Sequence, residues 1–275
     1  MCPTGNRAQK RPSGFMTTDT FTRIIEECDG RVSGVRFIGW GEPTLLPDLH
    51  SFIQLATEFG LLTHVNTNAS KLTDDMAEKL VDAGLSSIKF SFQGVDRESY
   101  GKMRKTDFFH GMLLAIKRMN FARGNRKYPF IAASTTVTDE PQHLIDSFRE
   151  EIEQIVDHLS IGKTIFGFMD LKAARLTPKE REMIESLLEV EKDTLQHPDP
   201  CPEVFDKLTI QWDGSVRVCC NDYNGTTNLG NINTSSLEEI WTHPTIEGYR
   251  DRLSRGEYTG PLCENCWAYI TQLYT

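Results

Sequence analysis

The sequence predicts an α/β protein made of a partial (β/α) barrel and a smaller, cysteine-rich domain. Strand-like and helix-like segments alternate over about the first 195 residues, which is typical of parallel strands joined through helices. A charged helical segment then ends at the Pro-rich stretch 197–200, and five of the seven cysteines follow that break. We therefore expect a barrel domain over residues 1–195 and a second domain over residues 196–275.

Hydrophobic spacing predicts the elements of the barrel. Short apolar runs bounded by turn residues indicate buried strands at residues 35–38, 62–66, 88–92, 130–137 and 158–162. Apolar residues at helical spacing indicate helices over residues 49–59, 73–83, 108–122 and 144–155, and a charged helix over residues 179–192. Thr73 is placed to cap one helix, while Gly60 and Gly84 are placed to end two of them.

The second domain is expected to contain a β-hairpin. Residues 208–212 and 216–219 have the composition of strands. The dipeptide Asp213-Gly214 lies between them and is typical of a two-residue hairpin turn.

Charge and composition exclude several classes of function. The formal net charge of −9 argues against a general nucleic-acid binder or a protein that binds anionic membranes, since both need excess Lys and Arg. The sequence has no run of roughly 18 apolar residues and no signal-peptide layout at its start. We therefore expect a cytoplasmic protein without membrane or nucleic-acid partners, whose cysteines stay reduced and able to bind metal.

Four cysteines near the C-terminus have the spacing of metal ligands. Cys201, Cys219, Cys263 and Cys266 include a C-x-x-C pair, which suits an iron–sulfur cluster or a structural zinc ion. Cys220 is a spare ligand, a hydrogen-atom donor, or a small hydrophobic residue. Cys28 shares an apolar helical face with its neighbours, and we expect it to lie in the core.

Short polar segments follow successive predicted strands, at residues 39–43, 66–68, 91–94 and 134–136. A barrel binds its ligand at this end of the strands. Gly41 lets a ligand approach the backbone closely, and Glu42 supplies a carboxylate that can hold an ammonium group. Pro43 stiffens the turn. Their order along the chain predicts a binding site at this end of the sheet.

These segments resemble the radical S-adenosylmethionine (SAM) superfamily, in the branch that carries a C-terminal SPASM domain. Members hold a [4Fe–4S] cluster with a CxxxCxxC motif after their first strand, and the three cysteines leave one iron open for SAM. Cys2, within Met1-Cys2-Pro3, resembles the last cysteine of that motif. The resemblance implies a partial (β/α)6 TIM-like barrel from which the first strand and the first two cluster cysteines are missing.

Further residues resemble the family's contacts to SAM. Gly41-Glu42-Pro43 is similar to the GGEP segment that binds the SAM amino group, although Trp40 replaces its first Gly. Asn68 resembles the Asn of the family's TNG segment, with Ala69 in place of Gly. Ser91 falls where the family has a ribose-contacting serine.

Other positions fit the family pattern less closely. The aspartate that usually follows the ribose-contacting serine by two residues is Gln93 here. Tyr100 and Arg104 fit the family's Y-x-x-x-R pattern, but helix packing and a solvated charge explain them equally well.

The tail resembles the SPASM pattern over residues 201–266. The similarity covers the four cysteines named above and also Gly214, the segment Gly230-Asn231-Ile232 and the segment Glu239-Ile240-Trp241. It implies that Cys201, Cys219, Cys263 and Cys266 bind one auxiliary [4Fe–4S] cluster.

The resemblance also implies an activity. Reductive cleavage of SAM would give a 5′-deoxyadenosyl radical that abstracts a hydrogen atom from a peptide or sugar-type substrate, for a net oxidation or epimerisation. A ferredoxin or flavodoxin would supply the electron. Because Cys2 is one of three ligands that the SAM cluster needs, a second hypothesis stands beside this one. On that hypothesis the chain is a truncated or degenerate iron–sulfur or zinc-binding protein that does not cleave SAM.

Overall fold

The computed structural model describes residues 9–164, 166, 176–194, 201–260, 262, 263 and 266. The chain divides into two compact units, one over residues 29–164 and the other formed mainly by residues 1–28 and 165–273. The first 28 residues therefore belong with the cysteine-rich tail. The boundary expected between residues 195 and 196 falls outside the described residues and stays a prediction.

The unit over residues 29–164 is built on a parallel sheet of five strands. They are Gly34–Phe37 (β1), Leu62–Thr67 (β2), Ser87–Ser91 (β3), Phe130–Val137 (β4) and His158–Lys163 (β5). Each strand pairs in parallel with the next along the chain, in the order β1-β2-β3-β4-β5. This arrangement confirms the predicted α/β class, and the consecutive order is that of a (β/α) barrel.

The helices of the protein alternate with these strands and continue into the second unit. They are Thr18–Cys28 (α1), Leu49–Glu58 (α2), Asp74–Asp82 (α3), Arg97–Arg104 (α4), Phe109–Arg123 (α5), Gln142–Ile152 (α6), Pro178–Thr194 (α7), Glu203–Asp206 (α8), Leu237–Trp241 (α9) and Pro244–Ser254 (α10). Thr73 caps α3 by accepting a hydrogen bond from the Met76 amide, as its position predicts. Gly60 and Gly84 have φ angles of 73° and 85°, as expected for glycines that follow helix ends.

The two faces of the sheet differ in chemistry. One face carries apolar side chains such as Val65, Ile88 and Ile131, which are fully buried in the hydrophobic core. The opposite face, called the polar face below, carries Arg36, His64, Asn66, Lys89 and Ser91 at alternating positions. The hydrophobic core therefore packs against one side of the sheet, and the polar side chains that could contact a ligand lie on the other side.

The second unit contains a three-stranded antiparallel sheet, formed by Thr209–Ile210 (β6), Ser215–Arg217 (β7) and Gly230–Asn231 (β8). The predicted two-residue turn at Asp213-Gly214 is wrong. The Gln211 amide donates to the Ser215 carbonyl, so that pair closes a loop of three residues. Gly214 has a φ of 80° and ends the loop in the left-handed conformation. Three-residue hairpins favour this combination of a turn and a left-handed residue.

Helix α1 is part of the second unit. The Thr20 hydroxyl donates a 3.1 Å hydrogen bond to Asn233 Oδ1, and the Leu237 amide donates to Glu27 Oε2 at 3.1 Å. Trp212 lies against Gly14 and donates from Nε1 to the Pro12 carbonyl. These contacts attach the start of the chain to the tail.

Within the described part of the chain, no helix combines the length and apolar character needed to cross a lipid bilayer.

Candidate functional site

The end of β1 is tied to the end of β2 through the carboxylate of Glu42. Glu42 Oε1 accepts hydrogen bonds from the Thr44 amide at 3.0 Å, the Thr44 hydroxyl at 2.6 Å and the Thr67 hydroxyl at 2.5 Å. Glu42 Oε2 accepts from the Asn68 amide at 2.7 Å. A carboxylate can accept about four hydrogen bonds. Oε1 accepts three here and Oε2 accepts one, so a ligand ammonium can bind chiefly at Oε2.

The loop after β2 takes the shape that its sequence requires. Asn68 Oδ1 accepts a hydrogen bond from the Ser70 amide at 2.9 Å, which closes a local turn. Ala69, where the family has Gly, has a φ of 56° and so adopts the left-handed conformation. A residue with a Cβ pays roughly 1–2 kcal/mol for that conformation. The hydrogen bonds from the Asn68 amide to Glu42 and from the Ser70 amide to Asn68 Oδ1 hold the loop in place despite this cost.

Gly41 and Arg104 have the features expected of groups that face a ligand. A Cβ added at Gly41 would meet no atom of the described structure within 4 Å, so space is open beside its backbone. Arg104 Nη2 donates to the Ser91 carbonyl at 2.8 Å, while Arg104 Nε is buried and has no hydrogen-bond partner in the described structure. A buried guanidinium N–H left without a partner indicates that an acceptor is missing. Space and a free donor therefore fit a bound cofactor at the strand ends.

The two residues of the Y-x-x-x-R pattern, Tyr100 and Arg104, lie in different surroundings. The Tyr100 side chain is 2% exposed and stacks edge-on against Phe109, and burial raises its pKa. Tyr100 is therefore a core residue, while its partner Arg104 lies at the strand ends.

The four predicted thiol ligands line one cavity in the second unit. Cys201, Cys219, Cys263 and Cys266 share it with a few apolar and polar side chains, among them Val204, Val218, Leu253, Tyr249 and Asn221. No three Cys, His, Asp or Glu side chains in the described residues converge at the spacing of a single metal ion. Four thiols that line one cavity are a donor set that suits an iron–sulfur cluster.

Burial and neighbouring thiols raise the pKa of two of these cysteines. The pKa of Cys201 is raised to about 11, chiefly by burial, and the neighbouring Cys266 and Cys263 act in the same direction. Burial also raises the pKa of Cys219, and its neighbours Cys220 and Cys266 act in the same direction. Iron ions reverse this balance because they stabilise the thiolate form directly. The donor set therefore fits an iron–sulfur cluster.

Two side chains organise the loop that follows Cys219. Asn221 Nδ2 donates a 3.0 Å hydrogen bond to the sulfur of Cys266. The carboxylate of Asp222 is 2% exposed and accepts from the amide and hydroxyl groups of both Thr226 and Thr227, at 2.6–2.9 Å. Sequence reasoning missed both residues. Their position next to a pair of cysteines was the available signal, since residues that flank metal ligands commonly position them.

The remaining cysteines occupy different settings. Cys220 is half-buried and does not line the cavity, so its predicted role as a hydrogen-atom donor stays a prediction. Cys28 is buried in α1, as the helical pattern predicts, and burial raises its pKa to about 11. Cys2 lies outside the described residues.

Comparisons with protein families match both the unit that carries the strand-end residues and the unit that carries the cysteine cavity. A family model described as the radical SAM superfamily matches residues 1–148, and one described as an iron–sulfur cluster-binding domain, SPASM, matches residues 201–267. The first match covers more than half of the chain. The chain belongs to the radical SAM superfamily. The two domains together imply SAM and iron–sulfur clusters as cofactors of this radical SAM protein.

Several curated proteins are similar to parts of it. An AdoMet-dependent heme synthase of Methanosarcina barkeri is 31% identical over 107 residues, covering 39% of this chain and 29% of that protein. A PqqA peptide cyclase of Bradyrhizobium diazoefficiens is 39% identical over 82 residues, covering 30% and 21%. A probable GTP 3′,8-cyclase of Saccharolobus islandicus is 30% identical over 162 residues, covering 49% and 52%. The radical SAM chain spans about half or less of the length of these relatives, which are enzymes.

Solved structures share the fold at low identity. SuiB of Streptococcus suis bound to precursor peptide SuiA matches with a TM-score of 0.66 at 17% identity, over 91% of this chain and 63% of that chain. BtrN in complex with AdoMet and 2-DOIA matches with a TM-score of 0.56 at 18% identity, over 96% and 85%. These likenesses extend the fold assignment of the radical SAM protein over most of the chain.

The hydrogen bond to Cys266 leads to a prediction about the cluster. We expect Asn221→Leu to lower the reduction potential of the C-terminal cluster by roughly 20–60 mV, because N–H donors to sulfur stabilise the reduced, more negative state. A redox titration followed by electron paramagnetic resonance measures the shift. Asn228→Ala, an exposed residue outside the cavity, is the matched control and should leave the potential unchanged. An Asn221→Leu potential equal to that of the control contradicts the prediction.

Proposed function

We propose that this protein is a radical SAM oxidoreductase that abstracts a hydrogen atom from a peptide substrate, for a net oxidation or epimerisation. The observation that carries the proposal is the placement of Gly41, Asn68 and Ser91 at the ends of three consecutive parallel strands. That order is the one in which the superfamily arranges its SAM contacts. The four thiols around one cavity support an auxiliary [4Fe–4S] cluster in the same chain.

The residues at the strand ends would hold SAM. The backbone at Gly41 has open space beside it, and Glu42 Oε2 keeps acceptor capacity for the amino group. Ser91 lies at the end of β3 with its carbonyl bonded to Arg104, whose Nε has no acceptor among the described residues. When bound and reduced, the SAM-binding cluster and SAM would supply the 5′-deoxyadenosyl radical that the reaction needs. The protein contributes orientation, because Glu42 fixes the ends of β1 and β2 against each other.

The choice of a peptide substrate rests on the comparisons. The PqqA peptide cyclases are named for a peptide substrate, and SuiB was solved with a precursor peptide. A ferredoxin or flavodoxin would supply the electron, and the cytoplasm would supply the reducing surroundings in which thiols remain free to bind iron. The auxiliary cluster would take up the electron left on the substrate.

Formation of 5′-deoxyadenosine by the anaerobically reconstituted protein, given SAM and dithionite, tests the proposal. We expect Gly41→Ala to reduce that product at least tenfold, because a methyl group would occupy the space beside the SAM contact without touching the protein. Gly248→Ala, an exposed helical glycine with open space around it, is the control and should keep full activity. Iron and sulfide in the C-terminal cluster with no 5′-deoxyadenosine would instead establish an iron–sulfur protein that does not cleave SAM.

A further inference from the structure

Two cations lie close together on the polar face of the sheet. Arg36 is paired in register with His64, and Lys89 is paired in register with Asn66. Paired residues of parallel strands point to the same side, and residues two apart along a strand do as well. All four side chains therefore share one face, in two adjacent rows about 7 Å apart.

Neither cation has an acidic partner in the described structure. Lys89 and Arg36 form no ion pair and no side-chain hydrogen bond among the described residues. Lys89 is half-buried, and burial lowers its pKa, with Arg36 as the charged group that lowers it further. Lys89 is half-buried while Arg36 is exposed, so the unpaired charge of Lys89 is the less favourable of the two, and in an acidic chain a carboxylate partner would be easy to supply.

His64 lies between the two cations and stays tied to the sheet. Its Nδ1 is 2.7 Å from the Ser87 hydroxyl, and its Nε2 is 2.7 Å from Asn66 Oδ1. Burial lowers the His64 pKa, the bond to Asn66 raises it, and Lys89 and Arg36 lower it, with a net decrease. His64 is therefore a neutral group in this region, and the positive charge comes from Lys89 and Arg36.

We infer that Lys89 and Arg36 bind an anionic group of the substrate, a carboxylate or a phosphate. Such a group would balance the charge of the pair, and Arg and Lys bind both groups well. Lys89 precedes Ser91 by two residues on the same face, so the anion would lie one row from the predicted ribose contact. Its identification as a substrate group rests on the proposed function, whereas anion binding by this face does not.

The stability of a Lys89 variant is the first part of the test. We expect Lys89→Met to raise the Tm of the full chain by roughly 1–4 °C, because it removes a half-buried, unpaired charge and keeps the apolar stem. Lys79→Met is the matched control, since Lys79 lies exposed on α3 and pairs with Asp75, and it should change the Tm by no more than about 1 °C. A lower Tm for Lys89→Met would show that the charge is structural and would overturn the inference.

Binding of two small probes is the second part. N-acetylglutamate amide and inorganic phosphate are titrated into the full chain by isothermal calorimetry, without reductant. We expect one of them to bind, with a loss of roughly tenfold or more in Lys89→Met and Arg36→Gln and no loss in Lys79→Met. The probe that binds identifies a carboxylate or a phosphate as the group recognised.

Three results of the binding measurements would overturn the inference. Equal affinities in wild-type and Lys89→Met protein, or no binding of either probe, would show that the face does not select anions. A matching loss of SAM affinity in Lys89→Met would assign the pair to the SAM carboxylate instead. Failure to form 5′-deoxyadenosine would count against the proposed function alone, because these measurements need no SAM cleavage.

Discussion

Cys219→Ala is expected to lose about four irons per chain after anaerobic reconstitution, together with the matching sulfide. Cys219 lines the cavity with three other thiols, and three ligands leave one corner of a cubane cluster open to water and loss. Cys219 follows closely after β7, and Val218 and Asn221 beside it line the same cavity without a thiol. Iron, sulfide and zinc analysis of the purified protein measures the effect.

Two other cysteines provide controls for this substitution. Cys28→Ala changes a buried cysteine of α1 that does not line the cavity, so the iron content should match wild type. Cys220→Ala removes the thiol next to Cys219, and we expect it also to retain the iron. Loss of iron in Cys220→Ala with retention of iron in Cys219→Ala would show that Cys220, and not Cys219, is the cluster ligand. Zinc without sulfide in the wild-type protein would contradict the cluster.

The long elements could be predicted from sequence because burial imposes a clear pattern on them. All five predicted strands of the parallel sheet match the structure to within a residue at either end, since each is an apolar run bounded by turn residues. Short helices were harder to predict from the sequence because they bury few side chains. Capping boxes at Asp96 and Ser236 begin α4 and α9. The sequence signature of a capping box, a Ser followed three residues later by a Glu, would have located α9 but not α4, where Ser99 takes the place of the Glu.

The positions of the candidate site residues at the strand ends could be predicted from the sequence, but their hydrogen bonds could not. Gly41, Asn68 and Ser91 could be placed because parallel strands end at the same edge of a sheet. The bond from Thr67 to Glu42 joins residues 25 positions apart, and no local pattern predicts which hydroxyl a carboxylate will bind. The unpaired cations of the polar face also emerged only from the strand register, which sets Asn66 beside Lys89.

Asp222→Asn is expected to destabilise the cysteine-rich unit by about 3 kcal/mol. The amide keeps the size of the side chain, but its NH₂ group would face N–H and O–H donors of Thr226 or Thr227. Buried donors would then lose their acceptor, and the loop after Cys219 would lose its anchor. Urea denaturation followed by tryptophan fluorescence measures the change, since Trp212 and Trp241 lie in this unit.

The pH dependence of this effect follows from the pKa of Asp222. Burial raises that pKa, but the hydrogen bonds from Thr227 and Thr226 outweigh burial and hold it below its usual range. A carboxyl with a lowered pKa in the folded state stabilises the protein above its unfolded pKa, near 3.9, and the benefit is lost as pH falls through the folded value. The difference between wild type and Asp222→Asn should therefore be full at pH 7 and shrink below about pH 4.

Asp213→Asn is the control for Asp222→Asn, because it changes an exposed carboxylate in the same unit. Asp213 accepts hydrogen bonds from the Ser215 amide at 3.0 Å and hydroxyl at 2.6 Å, but water reaches its side chain and can replace them. We expect its substitution to cost no more than about 1 kcal/mol. Equal losses in the two variants would mean that burial of Asp222 adds nothing. A larger loss in Asp222→Asn would show that this carboxylate holds the loop beside the cluster ligands.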